Sequence, residues 1–153
     1  MATPEERLAE LGLTLPELAA PVAAYVPTVR TGDHVYVSGQ LPFVEGKLPN
    51  TGKVGADVDP ETAQDLAALC VLNGIAAVRA ELGDLSRVTR VVKLVGFVAS
   101  SPDFTGQPGV INGASQLVGK VFGDAGVHAR SAVGAAALPL DSPVEVEMIV
   151  EAR

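Results

Sequence analysis

Apolar side chains recur with a helical period in one long stretch of the chain, between Asp59 and Gly83. Asp59 is a suitable N-cap, Pro60 suits the first turn because its missing N–H would be unpaired there, and Gly83 is a typical stop. One face carries mostly small or apolar residues, namely Leu66, Leu69, Cys70, Asn73, Ala76, Ala77 and Ala80. The pattern therefore predicts a helix that packs closely against a neighbouring layer.

Two weaker patterns predict shorter helices before and after this one. Thr3 is a suitable N-cap and Pro4 follows it at the first position, so a short opening helix is expected over about residues 3–12, with Gly12 as its stop. The segment NGASQLVGKVFGDAG, which begins at Asn112, predicts a second core helix that ends at Gly123.

Runs rich in β-branched residues predict five strands. The first two form a hairpin over about 22–30 and 34–38, joined at Thr-Gly-Asp. A long run over 87–100 is apolar on both faces, which is typical of a strand buried on both sides. The segments HARSAVGAAALP and SPVEVEMIVEAR predict the last two strands, whereas 39–58 is dense in glycine and proline and predicts a loop.

After the opening helix the order of elements is β-β-α-β-α-β-β, which predicts an α+β fold with two helices packed on one face of a mixed sheet. The other face then has no helix to cover it, although the 87–100 strand is apolar on both sides. A second subunit would supply the cover, so we expect an oligomer whose sheets face each other.

Composition and charge narrow the functional classes. At 153 residues, 48% hydrophobic and 19% charged, the chain fits one domain over 1–153. Eleven Lys and Arg against eighteen Asp and Glu give a net charge of -7, which argues against a nucleic-acid partner. A single cysteine cannot form an internal disulfide, and no stretch has the pattern of a signal peptide or a membrane span. We therefore expect a cytoplasmic protein with no membrane partner.

Most reactive residue types lack the neighbours that their chemistry needs. Cys70 lies on the apolar helix stripe, where a free cysteine is normally part of the core. His34 and His128 have no partners at metal-ligand spacing, so no metal is expected. Ser38 precedes a glycine without a nucleophile-elbow pattern, which favours a hydrogen-bonding role over a covalent one. The glycines of the 39–58 loop do not match a phosphate-binding spacing, so no nucleotide site is predicted.

Arg130 is the exception, because it lies within a predicted strand among small apolar residues. It shares a strand face with His128, Ala132 and Gly134, and the last two are small enough to leave room in front of a guanidinium. A guanidinium presents paired donors that match a carboxylate, so a pocket for an anionic small molecule is one interpretation. The other interpretation is a structural ion pair between Arg130 and Glu145 or Glu147 of the last strand.

The segment ARSAVGAAALPLDSPVEVE resembles the C-terminal signature of the Rid family, the YjgF-type reactive-intermediate deaminases. The match lies in Ala-Arg-Ser, in Leu-Pro at 138 and 139, and in Val-Glu-Val-Glu. Other matches come in the family's order: Tyr25 in the first predicted strand, VSGQLP at 37–42, Asn73 in the long helix, and Asn112 ahead of LVGKVF. The resemblance covers about residues 20–152. It implies a chorismate-mutase-like fold and a homotrimer with clefts between subunits.

The resemblance also implies hydrolysis of 2-imino or 2-enamino acids to 2-keto acids and ammonia, without a cofactor. Arg130 would hold the substrate carboxylate, while Glu145 and the carbonyl of Ala132 would position a water for attack on the imine carbon. Because the substrate is already an activated electrophile, the enzyme contributes orientation and electrostatics. Three further residues would line the cleft or fix its wall: Tyr25, Ser38 and Asn112.

Two departures from the deaminase pattern stand in the signature. The deaminase branch usually has Cys at the position of Ala132 and Glu at the position of Gly134. The chain is also longer, with its opening helix and the insertion-like segment SSPDFTGQPGV at about 101–110. These features indicate a divergent, longer subgroup. The alternative function is therefore a non-catalytic homotrimer that binds a small carboxylate, as a sensor or carrier.

Overall fold

The computed structural model describes residues 1–18 and 23–153. Within them the chain forms α1 (Pro4–Glu10), β1 (Thr28–Thr31), β2 (His34–Gln40), α2 (Pro60–Leu82), β3 (Val88–Ala99), α3 (Gln107–Phe122), β4 (Ala129–Ala135) and β5 (Val144–Ala152). Short 3-10 turns follow α2, α3 and β4, at Leu85–Arg87, Gly123–Gly126 and Pro139–Asp141. After α1, this order confirms the predicted β-β-α-β-α-β-β sequence of elements.

The five strands form one mixed sheet in the order β1-β2-β5-β3-β4. The β3–β4 pair is parallel, and the other neighbouring strands are antiparallel. Helix α2 packs on β5 and β2, and α3 packs beside it on β3 and β4. The predicted α+β fold, with both core helices on one face of the sheet, is therefore confirmed. We call the other face the open face.

The caps that mark the helices in the sequence are present. Thr62 donates its backbone N–H to the Asp59 side chain at 2.7 Å at the start of α2, and Gly83 follows the helix with a φ of 81°. At α1, Thr3 caps the first turn as expected, although the helix ends at Glu10 and Leu11 forms its C-cap. The predicted stripe of α2 is largely buried, but Ala80 is exposed.

Two boundaries differ from the prediction. Strand β1 begins at Thr28, so Tyr25 precedes the strand instead of lying in it, and position 22 lies outside the described residues. Helix α3 begins at Gln107, five positions before Asn112, because Pro108 fits the first turn of a helix. The insertion-like segment therefore supplies the first turn of α3.

The burial of β3 also differs from the prediction. Its residues on the helix side, such as Val91, Leu94 and Val98, are fully buried. Residues on the open face, including Val95 and Phe97, are only half-buried. Within one chain the strand is thus buried on one side, and its apolar open face stays available to a partner.

Two glycines let α3 approach its neighbours. A Cβ at Gly113 would collide with the backbone carbonyl oxygen of Gln64 in α2, and a Cβ at Gly96 would collide with the side chain of Ile111. Because these two positions have no Cβ atom, α3 can pack closely against α2 and β3. In the described part of the chain, no helix is long and apolar enough to cross a membrane.

Candidate functional site

The side chain of Arg130 points from β4 toward α3. Arg130 pairs with Leu94 of β3, and Leu94 pairs with Met148 of β5; both of these side chains are buried under the helices. Since paired residues of neighbouring strands share a face, Arg130 lies on the helix face of the sheet. At the sheet edge formed by β4, its guanidinium reaches the first half of α3.

Three oxygens of α3 hold the guanidinium of Arg130. Its Nη1 donates to Asn112 Oδ1 at 2.8 Å and to Ser115 Oγ at 3.1 Å, and its Nη2 donates to the carbonyl oxygen of Pro108 at 3.0 Å. Positions 108, 112 and 115 follow each other at helical spacing, so they lie on one face of α3. The predicted neighbours Arg130 and Asn112 are therefore brought together.

All three partners of Arg130 are neutral, so its charge is not compensated by a described residue. The ion pairs of the described chain are Lys53 with Asp141 and Arg79 with Glu5. The Nε–H of Arg130 donates to no described residue, although the side chain is only half-buried. An oriented cation with an unused N–H edge suits a carboxylate.

Glu145 lies on the opposite face of the sheet from Arg130. It alternates along β5 with the buried Val144 and Val146, and it pairs with Phe97 on the open face. Glu145 and Glu147 both lie on the open face, whereas Arg130 lies on the helix face. The interpretation that Arg130 forms an ion pair with either glutamate is therefore wrong. Burial, and secondarily the charge of Glu147, raise the pKa of the Glu145 carboxyl.

Ser38 lies on the open face near Glu147, at a β-bulge of β2. A Cβ on Gly39, the next residue, would collide with the Glu145 carboxylate. The Ser38 hydroxyl donates to the carbonyl oxygen of Val26 at 2.6 Å, so its proton is already engaged. This arrangement agrees with a hydrogen-bonding role for Ser38 instead of a covalent one. An open-face cavity of about 250 Å³ is lined by Ser38 together with Tyr36 and Glu147.

Tyr25 and the β4 residues are at opposite ends of the sheet. Tyr25 precedes β1, one edge strand, and is 60% exposed, whereas β4 forms the other edge. The predicted site residues therefore fall into two groups. Arg130, Asn112 and Ala132 lie at the β4 edge; Glu145, Ser38 and Tyr25 lie on the open face or at the β1 edge. A single chain does not bring the groups together.

Beyond Arg130, the helix face of β4 leads to an open cleft of about 600 Å³. Ala132 is half-buried, and Gly134 lines the cleft. A Cβ on Gly134 would lie 3.1 Å from Gln107 Nε2, so a larger residue there would fill part of this space. The cleft wall also includes the side chains of Lys53 and Phe104.

Ser115 is a contact of Arg130 that the sequence did not predict. Besides accepting from Arg130, its hydroxyl oxygen lies 2.9 Å from Nε2 of His128. Pro108, Asn112 and Ser115 are spaced so that they share one face of a helix. The predicted helix begins at Asn112 and therefore excludes Pro108, so the sequence prediction does not reveal this face.

The described residues contain no group of three or more His, Cys, Asp or Glu side chains that could hold a metal ion. Cys70 is fully buried, its thiol lies 3.8 Å from the carbonyl oxygen of Val144, and burial raises its pKa well above the usual range. Its core position agrees with the interpretation of Cys70 as a small apolar residue.

A profile described as "YjgF/chorismate mutase-like, putative endoribonuclease" matches residues 5–152. The chain belongs to the YjgF/chorismate-mutase-like family. The YjgF-like chain is 48% identical over 145 residues to Protein TCP17 of Trypanosoma cruzi, covering 94% of this chain and 91% of that protein.

Two solved structures extend the comparison. A protein of unknown function from Agrobacterium tumefaciens shares 52% identity, with a TM-score of 0.91 over 98% of this chain and 92% of that chain. TdcF from E. coli, solved with bound serine, shares 27% identity, with a TM-score of 0.65 over 87% of this chain and 91% of that chain.

Proposed function

We propose that this YjgF-type protein is a homotrimer that hydrolyses 2-imino or 2-enamino acids in clefts between its subunits, without a cofactor. The observation that carries the proposal is the guanidinium of Arg130. It is oriented by three neutral oxygens, it has no carboxylate partner among the described residues, and its Nε–H is unused. A carboxylate ligand would supply the missing negative charge.

The chemistry requires little more than orientation once the carboxylate is held. Water adds to C2 of the imine, the nitrogen takes up a proton, and the C–N bond of the resulting carbinolamine breaks to give a 2-keto acid and ammonia. Glu145 of one subunit takes the proton from the attacking water, and the Ala132 carbonyl of the neighbouring subunit accepts a hydrogen bond from the same water. The raised pKa of Glu145 suits a group that exchanges protons nearer to neutral pH than an ordinary carboxyl.

A trimer is proposed because the two groups of site residues lie far apart within one chain. If the β1–β2 region of one subunit lies against the β4 region of the next, Tyr25 and Ser38 can face Arg130 across the boundary. The open face also carries exposed apolar side chains that a neighbouring subunit would cover, among them Val29, Tyr36 and Val133, which are 55%, 46% and 45% exposed.

The relative TdcF supports a small amino-acid-like ligand. It was solved with serine bound, and serine carries an α-carboxylate of the kind that we assign to Arg130. No nucleic acid is included in the proposal, because the net charge of -7 opposes contact with a phosphate backbone.

A non-catalytic carboxylate-binding trimer is the second candidate function. The observation that favours it is the position of Glu145, which lies on the opposite face of the sheet from Arg130 in the same chain. In that case Arg130 and Asn112 bind the ligand, and no group of the same chain activates water.

One experiment separates the two functions. An amino-acid oxidase generates 2-iminobutyrate in the presence of purified protein, and the loss of the imine is followed together with the mass of the protein in solution. Faster loss than in buffer, by a trimer, supports the hydrolase. Binding of 2-oxobutyrate without faster loss supports the carrier. A monomer that neither binds nor accelerates contradicts both.

A further inference from the structure

We infer that Ser115 and His128 form a positioning pair that orients the guanidinium of Arg130 for a carboxylate ligand. This inference rests on the proposed function, because it concerns how Arg130 is held for its ligand. Neither residue belongs to the signature segment beginning at Ala129, and neither is among the predicted site residues.

The carbonyl oxygen of Gly126 can only accept a hydrogen bond, and this fixes the direction of the other hydrogen bonds of the pair. His128 Nδ1 lies 2.6 Å from the carbonyl oxygen of Gly126. Because a carbonyl has no proton to give, Nδ1 carries the hydrogen, which leaves Nε2 as the ring nitrogen that can accept. Ser115 Oγ, at 2.9 Å from Nε2, therefore donates its hydroxyl proton to His128.

This arrangement turns the lone pairs of Ser115 toward Arg130. With its only proton committed to His128, the hydroxyl oxygen accepts from Arg130 Nη1 at 3.1 Å. A serine hydroxyl without such a partner rotates freely and can present its proton to a neighbouring donor instead. His128 thus acts on Arg130 through Ser115: Arg130 donates to Ser115, Ser115 donates to His128, and His128 donates to the carbonyl oxygen of Gly126.

The pair completes a set of contacts that fixes the plane of the guanidinium. Asn112 and Ser115 both accept from Nη1, while the Pro108 carbonyl accepts from Nη2. These contacts leave Nε free, so the orientation of the remaining N–H edge is set before a ligand arrives. Bidentate binding of a carboxylate needs the planar fork in one orientation, and ordering a mobile side chain on binding lowers affinity about 3- to 10-fold.

The test compares a charged ligand with a neutral analogue of the same shape. 2-Oxobutyrate and 2-oxobutyramide are titrated into the wild type, Ser115→Ala and His128→Phe. We expect both variants to bind 2-oxobutyrate about 3- to 10-fold more weakly, with little change for the neutral amide, which does not need an oriented fork. Ser115→Thr, which keeps a hydroxyl, should restore most of the affinity for 2-oxobutyrate.

The matched control is the chain's other histidine. His34 starts β2 and makes no side-chain hydrogen bond to Arg130 or Ser115, so His34→Phe should leave both affinities unchanged. Equal weakening for the acid and the amide in Ser115→Ala or His128→Phe, or no weakening in either, overturns the positioning role. If one variant does not fold, the other decides.

The outcome also separates this inference from the proposed function. Loss of 2-oxobutyrate binding in Arg130→Ala together with normal binding in Ser115→Ala and His128→Phe contradicts only the positioning pair. Normal binding in Arg130→Ala contradicts the carboxylate site itself.

Discussion

The close approach of α3 to α2 at Gly113 is the structural feature whose removal has the clearest expected cost. A Cβ at this position would fall on the backbone carbonyl oxygen of Gln64 and 2.8 Å from its carbonyl carbon. Backbone atoms cannot rotate away as the end of a side chain can, so Gly113→Ala requires the two helices to separate. Gly119, in the same helix, has nothing within 4 Å of its added Cβ and serves as the control.

The magnitude follows from two opposing effects. Replacing a helical glycine by alanine stabilises by up to about 1 kcal/mol through helix propensity, and Gly119→Ala should show this gain alone. Overpacking a tight site costs about 1 to 3 kcal/mol, and a collision with backbone belongs at the upper end. Gly113→Ala should therefore be net destabilised by about 2 kcal/mol, which lowers the melting temperature by about 4 to 8 °C in a chain of this size.

Urea and thermal unfolding of the wild type and both variants measure this difference. The expected gap between Gly113→Ala and Gly119→Ala is about 3 kcal/mol, with the control more stable than the wild type. Because Asn112 and Ser115 flank Gly113, the variant should also bind 2-oxobutyrate more weakly. A Gly113→Ala protein as stable as Gly119→Ala would refute the packing of α3 described above.

Three further predictions concern charge and reactivity. The pKa of Glu145 is higher in the folded protein than in the unfolded chain. The free energy of unfolding therefore falls as the pH rises through the folded-state pKa and the carboxyl ionises. Glu145→Gln should thus raise the melting temperature at pH 7, and the gain should vanish near pH 4; a pH-independent effect contradicts the cause. Cys70, with its buried thiol, should resist Ellman's reagent until urea unfolds the chain, so rapid native labelling would contradict its burial. Fluorescence anisotropy should detect no binding of single-stranded RNA at physiological salt, and salt-sensitive micromolar binding would show a basic surface that the net charge conceals.

The helices and their ends were predictable where local signals are strong. Asp59, Pro60 and Gly83 mark α2 correctly because capping and stopping depend on the neighbouring residues alone. The start of α3 was missed because Gly106, Pro108 and Gly109 are poor formers of a helix interior, although Pro108 fits a first turn.

The sequence predicts which side chains face the helices in β5, but it does not do so in β4. In β5, valines alternate with glutamates, so the open-face position of Glu145 is evident from the pattern. In β4 both faces carry small residues, so nothing local shows that Arg130 turns toward α3. The partners of Arg130 come from Pro108, Asn112 and Ser115, whose approach depends on packing between distant segments.

The carboxylate site at Arg130 is tested most directly by titrating 2-oxobutyrate into the wild type, Arg130→Ala and Arg130→Lys, with a thermal melt of each. Losing a charge-assisted bidentate contact costs about 1.5 to 3 kcal/mol, so Arg130→Ala should bind roughly 10- to 100-fold more weakly. Arg130→Lys should recover only part of this loss, because an ammonium lacks the planar fork. The fold should persist in Arg130→Ala. The oxygens of Pro108, Asn112 and Ser115 that lose their donor lie near the surface, where water can bind to them instead. A large fall in melting temperature with ligand binding retained would show that Arg130 is structural and would contradict the account.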